Sequence, residues 1–200
     1  MTQVAGVLLA AGEGARFGQP KALIELDGMT LAERGVALLR TGGADPVLVV
    51  TGAAPELGLG LRRDDGMHTV YNPDWQTGMG SSLRVALTTL DAAPGAVGAA
   101  VIALADQPLI GAAAVRRLIG AYRAGASVAV AAYDGKPRNP VLIAREHWSD
   151  VIAAAAGDTG ARGFLRARPD LVTLVECADT GSPDDIDTPE DLDHIVKNFR

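Results

Sequence analysis

Gly12, Gly14 and Gly18 follow an apolar run, Val7-Leu8-Leu9-Ala10-Ala11, with Arg16 among the glycines and Lys21 just beyond them. Glycine lets backbone N–H groups approach a ligand closely, and side-chain cations neutralise phosphate oxygens. A buried strand that ends in bare backbone and positive charge is a phosphate-binding arrangement, so these residues predict a nucleotide ligand. Their spacing excludes two common devices. A dinucleotide fingerprint needs G-x-G-x-x-G, and here the third glycine stands one place late. A Walker loop ends in Gly-Lys-Ser/Thr, whereas Gly18 is followed by Gln19-Pro20-Lys21-Ala22.

A nucleoside triphosphate brings Mg²⁺, which takes one or two carboxylates together with phosphate oxygens and water. Asp106 follows the apolar run Val101-Ile102-Ala103-Leu104-Ala105, which places it at the carboxyl end of an expected strand, where open α/β sheets bind ligands. Its alternative role is a helix N-cap ahead of Ala112. A second acidic stretch reads Asp184-Asp185-Ile186-Asp187-Thr188-Pro189-Glu190-Asp191. Most of these carboxylates suit the first turn of a helix. Asp187 precedes the Thr188 cap on its extended side and is the expected second metal ligand, with a structural cap as the alternative. His68, His147 and His194 lack ligand spacing. The expected cofactor is therefore Mg²⁺ on Asp106 and Asp187.

The elements that position these residues alternate along the chain. Val4–Ala11, Pro46–Thr51, Thr69–Tyr71, Val97–Ala105 and Ser127–Ala132 read as strands, and Thr30–Arg40, Ser81–Leu90 and Ala112–Arg123 as helices between them. Strands that are apolar throughout suit a parallel sheet covered on both faces, so the expected class is α/β, doubly wound and Rossmann-like, with a mostly parallel sheet. Lys136-Pro137-Arg138-Asn139-Pro140 reads as a turn-rich stretch leading into Val141-Leu142-Ile143. Arg145–Ala156 and Gly160–Ala167 look helical, Leu171–Cys177 looks like a strand, and Pro189–Asn198 reads as a final helix capped by Thr188. With no repeat, linker or low-complexity tract, residues 1–200 are expected to form a single domain.

At 200 residues the chain can bury a sizeable core, and with 48% apolar but only 4% aromatic residues that core must be aliphatic. The formal net charge of -6 argues against nucleic-acid binding driven by overall charge, and makes local cations at Arg16 and Lys21 more telling. Cys177 is the only cysteine, which excludes an intrachain disulfide and a cysteine zinc site. The N-terminal segment lacks signal-peptide features, and the longest apolar stretch, Gly95 to Ala105, is too short to span a membrane. A cytoplasmic protein is expected.

The segment L-A-A-G-x-G-x-R-F-G-x-x-K resembles the signature of the MobA-like nucleotidyltransferase family, which activates sugars, isoprenoid precursors and molybdenum cofactor. Asn72-Pro73-Asp74-Trp75-Gln76-Thr77-Gly78-Met79-Gly80-Ser81-Ser82-Leu83 is similar to a stretch of the molybdenum cofactor cytidylyltransferases within it. So are Leu104-Ala105-Asp106-Gln107-Pro108, Gly157-Asp158-Thr159-Gly160-Ala161-Arg162 and Asp185-Ile186-Asp187-Thr188-Pro189. Arg138-Asn139-Pro140-Val141 looks like their R-G-x-P-V segment with one residue fewer. The resemblance implies that Leu9, Ala10, Ala11 and Gly12 line base and ribose, and that Arg16 and Lys21 grip the triphosphate. It makes Ala11 a mark of cytosine, where guanylyltransferases of this fold usually carry glycine. Gly80, Ser81 and Ser82 would offer donors to base or ribose, or Ser81 or Ser82 would simply cap a helix.

The implied reaction is attack of an acceptor phosphate on the α-phosphorus of CTP, releasing pyrophosphate. A phosphate monoester is mostly dianionic at neutral pH and needs no general base, so positioning and charge neutralisation carry the chemistry. Arg138 and Arg162 would face the pterin phosphate of molybdenum cofactor, or would be solvated surface cations. Asp158 would pair with Arg162 and order its loop. The residues also admit two rival readings. One is transfer to a sugar, polyol or phospholactate acceptor. The other is a non-catalytic accessory protein that hands molybdenum cofactor to a molybdoenzyme.

Overall fold

Seven strands form the main sheet of the computed structural model, which describes residues 2–57, 66–93, 95 and 97–198. They are β1 (Gln3–Ala10), β4 (Val47–Thr51), β5 (Met67–Tyr71), β6 (Val97–Leu104), β7 (Val128–Tyr133), β8 (Lys136–Ala144) and β9 (Val172–Glu176). Their order across the sheet is β5-β4-β1-β6-β8-β7-β9. β5, β4, β1 and β6 run parallel, as do β7 and β9, and β8 alone is reversed, lying antiparallel between β6 and β7. This is the mostly parallel α/β sheet expected from the uniformly apolar strands.

Among the described residues the α-helices are α1 (Leu31–Thr41), α2 (Met79–Ala92), α3 (Ala112–Arg123), α4 (Trp148–Ala154), α5 (Arg162–Ala167) and α6 (Pro189–Asn198). Successive residues of β1 serve opposite faces, as strand geometry requires. Val4, Leu8 and Ala10 join Val36 and Leu39 of α1 and Val115 and Leu118 of α3 in one core. Ala5, Val7 and Leu9 join Leu83, Leu87 and Leu90 of α2 with Trp148, Val151 and Phe164 in the other. Burying one such leucine contributes about 1.5–3 kcal/mol. A third, smaller cluster holds Ile24, Leu26, Leu31, Ile186 and Ile195, and it docks α6 against the start of α1.

Two short hairpins depart from the sequence reading. Lys136–Asn139, expected as turns, continue β8 as a strand, and Tyr133 pairs with Lys136 around Asp134 (φ 52°) and Gly135 (φ 72°). Likewise β2 (Glu25–Leu26) and β3 (Met29–Thr30) close on Asp27 (φ 51°) and Gly28 (φ 77°). Positive φ at both central residues matches the twist of the flanking strands. The helix expected over Arg145–Ala156 divides into a 3₁₀ turn, Arg145–His147, followed by α4.

Candidate active site

Chain direction diverges at β1. α1 leads from it to β4 and outward to β5, and α2 then returns to β6 on the other side of β1. Ligands of open α/β sheets settle in the crevice such a switch point leaves at the strands' carboxyl ends. Leu9 pairs with Leu104 there, and a cavity of about 310 Å³ opens beside them. Leu9, Ala10, Ala11 and Gly12 line one part of it, and Lys21 and Asp106 another. Trp75, Gln76, Gly78, Met79, Ser82 and Asp158 line it as well.

The glycine loop closes on itself. Phe17 N–H donates to the Gly14 carbonyl at 2.8 Å, and Gly14 has φ +65° with the Gln19 carbonyl where a Cβ would stand. Gly14 therefore lets the loop fold back so that Lys21 faces inward, whereas Gly12 lines the cavity with open space beside it. Lys21 Nζ donates to Asp106 Oδ2 at 2.9 Å and also to Asp187 Oδ1. Arg16 is the outer partner, its guanidinium 3.8 Å from Asp187 Oδ2 and its side chain 73% exposed. Burial works against the Lys21 ammonium, but the two carboxylates outweigh it and raise its pKa above the ordinary value.

Asp106 is not a helix cap: α3 has Gly111 as its N-cap. Its Oδ1 is buried and lacks a hydrogen-bond partner. A buried unpaired carboxylate oxygen is costly, so this atom calls for a cation or donor. With Asp187 reaching the same lysine, the pair fits a hard divalent ion such as Mg²⁺. Among the described residues no three His, Cys, Asp or Glu side chains gather as a metal group, so an ion here would draw its other ligands from phosphate and water.

A strap from the C-terminal part brings Asp187 to this place. Ile186 N–H donates to the Asp106 carbonyl at 2.8 Å, while the Ile186 side chain is fully buried. Gln107 Nε2 donates to Asp185 Oδ1 (2.6 Å) and to the Pro183 carbonyl (3.0 Å). Asp191 Oδ2 accepts the N–H groups of Asp187 (2.9 Å) and Thr188 (2.8 Å), and Thr188 Oγ1 accepts Asp191 N–H (3.3 Å), a reciprocal cap at the start of α6. Burial, with Asp106 and Asp187 nearby, pushes the Asp185 carboxyl up.

Gly80 and Ser81 stand apart from the cavity lining. A Cβ on Gly80 would lie 2.7 Å from Ala156 N. Ser81 Oγ lies 2.8 Å from the Gly78 carbonyl and accepts from Asn72 Nδ2 at 2.8 Å. Ser82 lines the cavity and its Oγ accepts from the same amide at 3.0 Å. Neither serine caps α2; Gly78 is its N-cap. Asp158 reaches the Met79 N–H (3.4 Å) rather than Arg162. Arg138 and Arg162 come together in a second cavity of about 800 Å³, joined by Arg166, which the sequence reading did not single out. Gln107, Asp184 and Asp185 bound that cavity too, so the Asp106–Gln107 turn is the seam between the two spaces. Trp75 and Met79 had a signal in the N-x-x-W-x-x-G-M stretch, but their place on the cavity wall needed the packing of α2.

A glycine loop, an inward lysine and paired aspartates at the switch point of a mostly parallel sheet define a protein that binds nucleoside triphosphates for group transfer. Residues 6–172 match the family model described as the MobA-like NTP transferase domain, and the chain belongs to that family; it is a nucleotidyltransferase. It is 37% identical to the nicotine blue oxidoreductase of Paenarthrobacter nicotinovorans over 201 residues, covering 96% of each chain. It is 36% identical over 132 residues to a probable molybdenum cofactor guanylyltransferase of Opitutus terrae, covering 66% of this chain and 62% of that one. Among solved structures, Rv0371C of Mycobacterium tuberculosis H37Rv in complex with manganese superposes with a TM-score of 0.76 at 26% identity, covering 98% of this chain and 100% of the other. Nucleotidyltransferases of this kind generally use a divalent metal ion. Among the described residues no helix is long and apolar enough to cross a membrane.

Proposed function

We propose that this chain transfers CMP from CTP to the phosphate of molybdopterin or molybdenum cofactor, with release of pyrophosphate and with Mg²⁺. The observation that carries the reading is the pair of cavities on either side of Asp106–Gln107: one beside the glycine loop and Lys21, the other holding Arg138, Arg162 and Arg166. An acceptor phosphate oxygen forms a bond to the α-phosphorus, and the bond from that phosphorus to the bridging oxygen of pyrophosphate breaks. Lys21 and Arg16 stabilise the triphosphate charge, which is greatest as pyrophosphate leaves. Asp106 and Asp187 would hold Mg²⁺, whose charge neutralises phosphate oxygens when it is bound. Arg138 and Arg162 would orient the dianionic acceptor. Ala11 is the residue on which cytosine preference rests.

On this reading residues 1–200 act as one cytoplasmic nucleotidyltransferase domain that supplies a molybdoenzyme with its dinucleotide cofactor. A different phosphorylated acceptor, such as a sugar, polyol or phospholactate, is compatible with the same arginines. The relative named as an oxidoreductase supports a redox reading, against which stands a glycine loop whose spacing departs from the dinucleotide fingerprint. Calorimetric binding of CTP, GTP and ATP with Mg²⁺, followed by pyrophosphate release with a panel of acceptors, tests the proposal. CTP preference with turnover on the pterin phosphate is expected. Preference for GTP overturns the nucleotide assignment, and nucleotide binding without pyrophosphate release overturns the transfer itself.

A further inference from the structure

Asp158 is left without a function by the chemistry above, yet it lies on the wall of the nucleotide cavity. Its loop is held there by close backbone approach. Gly157 and Gly160 flank the residue at φ +49° and +51°, and the loop presses against the start of α2. A Cβ on Gly78 (φ +106°) would stand 2.7 Å from Asp158 Oδ1, and one on Gly80 2.7 Å from Ala156 N. The glycines at 78 and 80 thus make room for Asp158 to reach the cavity. Once there, Oδ1 takes one long hydrogen bond, 3.4 Å from Met79 N–H. That bond leaves most of the acceptor capacity of the carboxylate for a ligand.

Position within the cavity decides what such a carboxylate can receive. Lys21, Asp106 and Asp187 are joined to one another and form the end suited to phosphates. Asp158 belongs to a different group of contacts. It adjoins Gly78, whose N–H reaches the Trp75 carbonyl at 3.1 Å. Trp75 in turn abuts Ala11: a Cβ on Gly52 would stand 2.6 Å from Trp75 Cβ and 2.7 Å from Ala11 Cβ. A carboxylate repels a triphosphate but accepts from N–H groups, and the N–H donors of a nucleotide are on its base. Cytosine, adenine and guanine carry an exocyclic amino group, whereas uracil and hypoxanthine present a carbonyl or nothing at that place.

We infer that Asp158 distinguishes amino-bearing bases from their carbonyl counterparts, accepting a hydrogen bond from an exocyclic amino group, so that CTP is taken over UTP and GTP over ITP, while the choice between cytosine and guanine stays with Ala11. This rests on the reading of the cavity as a triphosphate site. The test compares wild type, Asp158→Asn and Asp158→Ala in two matched pairs, CTP against UTP and GTP against ITP, with Mg²⁺, by calorimetric binding and by pyrophosphate release. Asparagine keeps an oxygen for Met79 N–H but places an amide where the second carboxylate oxygen stood. The expected result is a preference for the amino-bearing member of each pair in the wild type. Both variants should lower that preference by about 10- to 100-fold, the range of one hydrogen bond to a charged group. Asp158→Asn should gain on UTP, whose carbonyl its amide can meet, while thermal unfolding of this variant stays at the wild-type value. Ratios unchanged in both variants, with turnover intact, overturn the assignment of Asp158 alone. Failure of the wild type to bind any of the four triphosphates overturns the site reading and this inference together.

Discussion

Replacing Lys21 by Met keeps the apolar stem and removes the ammonium that joins Asp106 to Asp187. The lysine side chain is 19% exposed and that of Asp106 24%, so their 2.9 Å bond is shielded from water. A hydrogen bond to a charged group in that setting contributes about 1.5–3 kcal/mol. The second bond, to Asp187, counts for less because that side chain is 47% exposed and screened. A loss of about 2 kcal/mol in unfolding free energy follows, or about 4–8 °C in Tm for a chain of this size. Activity should fall much further, by about 10²–10³ in kcat, because the ammonium is a fixed positive group beside the triphosphate. The sign of the pH dependence is set by the raised pKa of Lys21. Its stabilisation is fully present below 10.5, its ordinary value, and is lost as pH rises through the higher folded-state value. The gap in Tm between wild type and variant should therefore be level near neutrality and close only in strong alkali. Pyrophosphate release and thermal unfolding across pH measure both quantities. Turnover within about threefold of wild type, or a gap that closes between neutrality and mild alkali, would refute the reasoning.

Asp106→Asn should weaken metal-dependent pyrophosphate release far more than thermal stability, since the amide still meets its neighbours but loses the anionic Oδ1; a loss of stability with unchanged activity per folded molecule speaks against metal binding there. Asp191→Ala removes the acceptor for two peptide N–H groups of the strap. The Asp191 pKa is lowered, chiefly by the Asp187 N–H, so its stabilisation is present above 3.8 and disappears as pH falls through the folded-state value. The variant should show a lower Tm at neutral pH and none of that difference in acid, as read by calorimetry. Gly80→Ala forces a Cβ against the Ala155–Ala156 backbone and should cost about 1–3 kcal/mol, measured by urea unfolding; a neutral effect would show that the loop carrying Asp158 yields freely.

The sequence made the parallel half of the fold legible because β1, β4, β6 and β7 are buried on both faces and leave unbroken apolar runs. It hid β8, whose outer half, Lys136–Asn139, is polar and proline-bearing and earns its strand geometry from pairing with β7. The Asp134-Gly135 and Asp27-Gly28 pairs were the available hairpin signals. At the site, Arg16, Lys21, Asp106 and Asp187 could be named from residue type and spacing, and their approach to one another was found in the fold. Gly80 packs against the Ala155–Ala156 backbone, and a glycine in that setting reads in sequence like a glycine against a ligand. Asp158, Gln107 and Arg166 depend on contacts between segments dozens of residues apart, which no local pattern records.

Asp187 joins a lysine 166 positions and an aspartate 81 positions earlier in the chain, and it lies beyond the region, 6–172, that the family model matches. During synthesis the chain emerges from its N-terminus, so the residues that build the sheet precede the strap. Lys21 and Asp106 are both made before the strap. Only when Ile186 enters its apolar socket does the second carboxylate arrive. The second carboxylate is thus the last part of the site to be made, and a product cut short before Gly181 would lack the carboxylate pair.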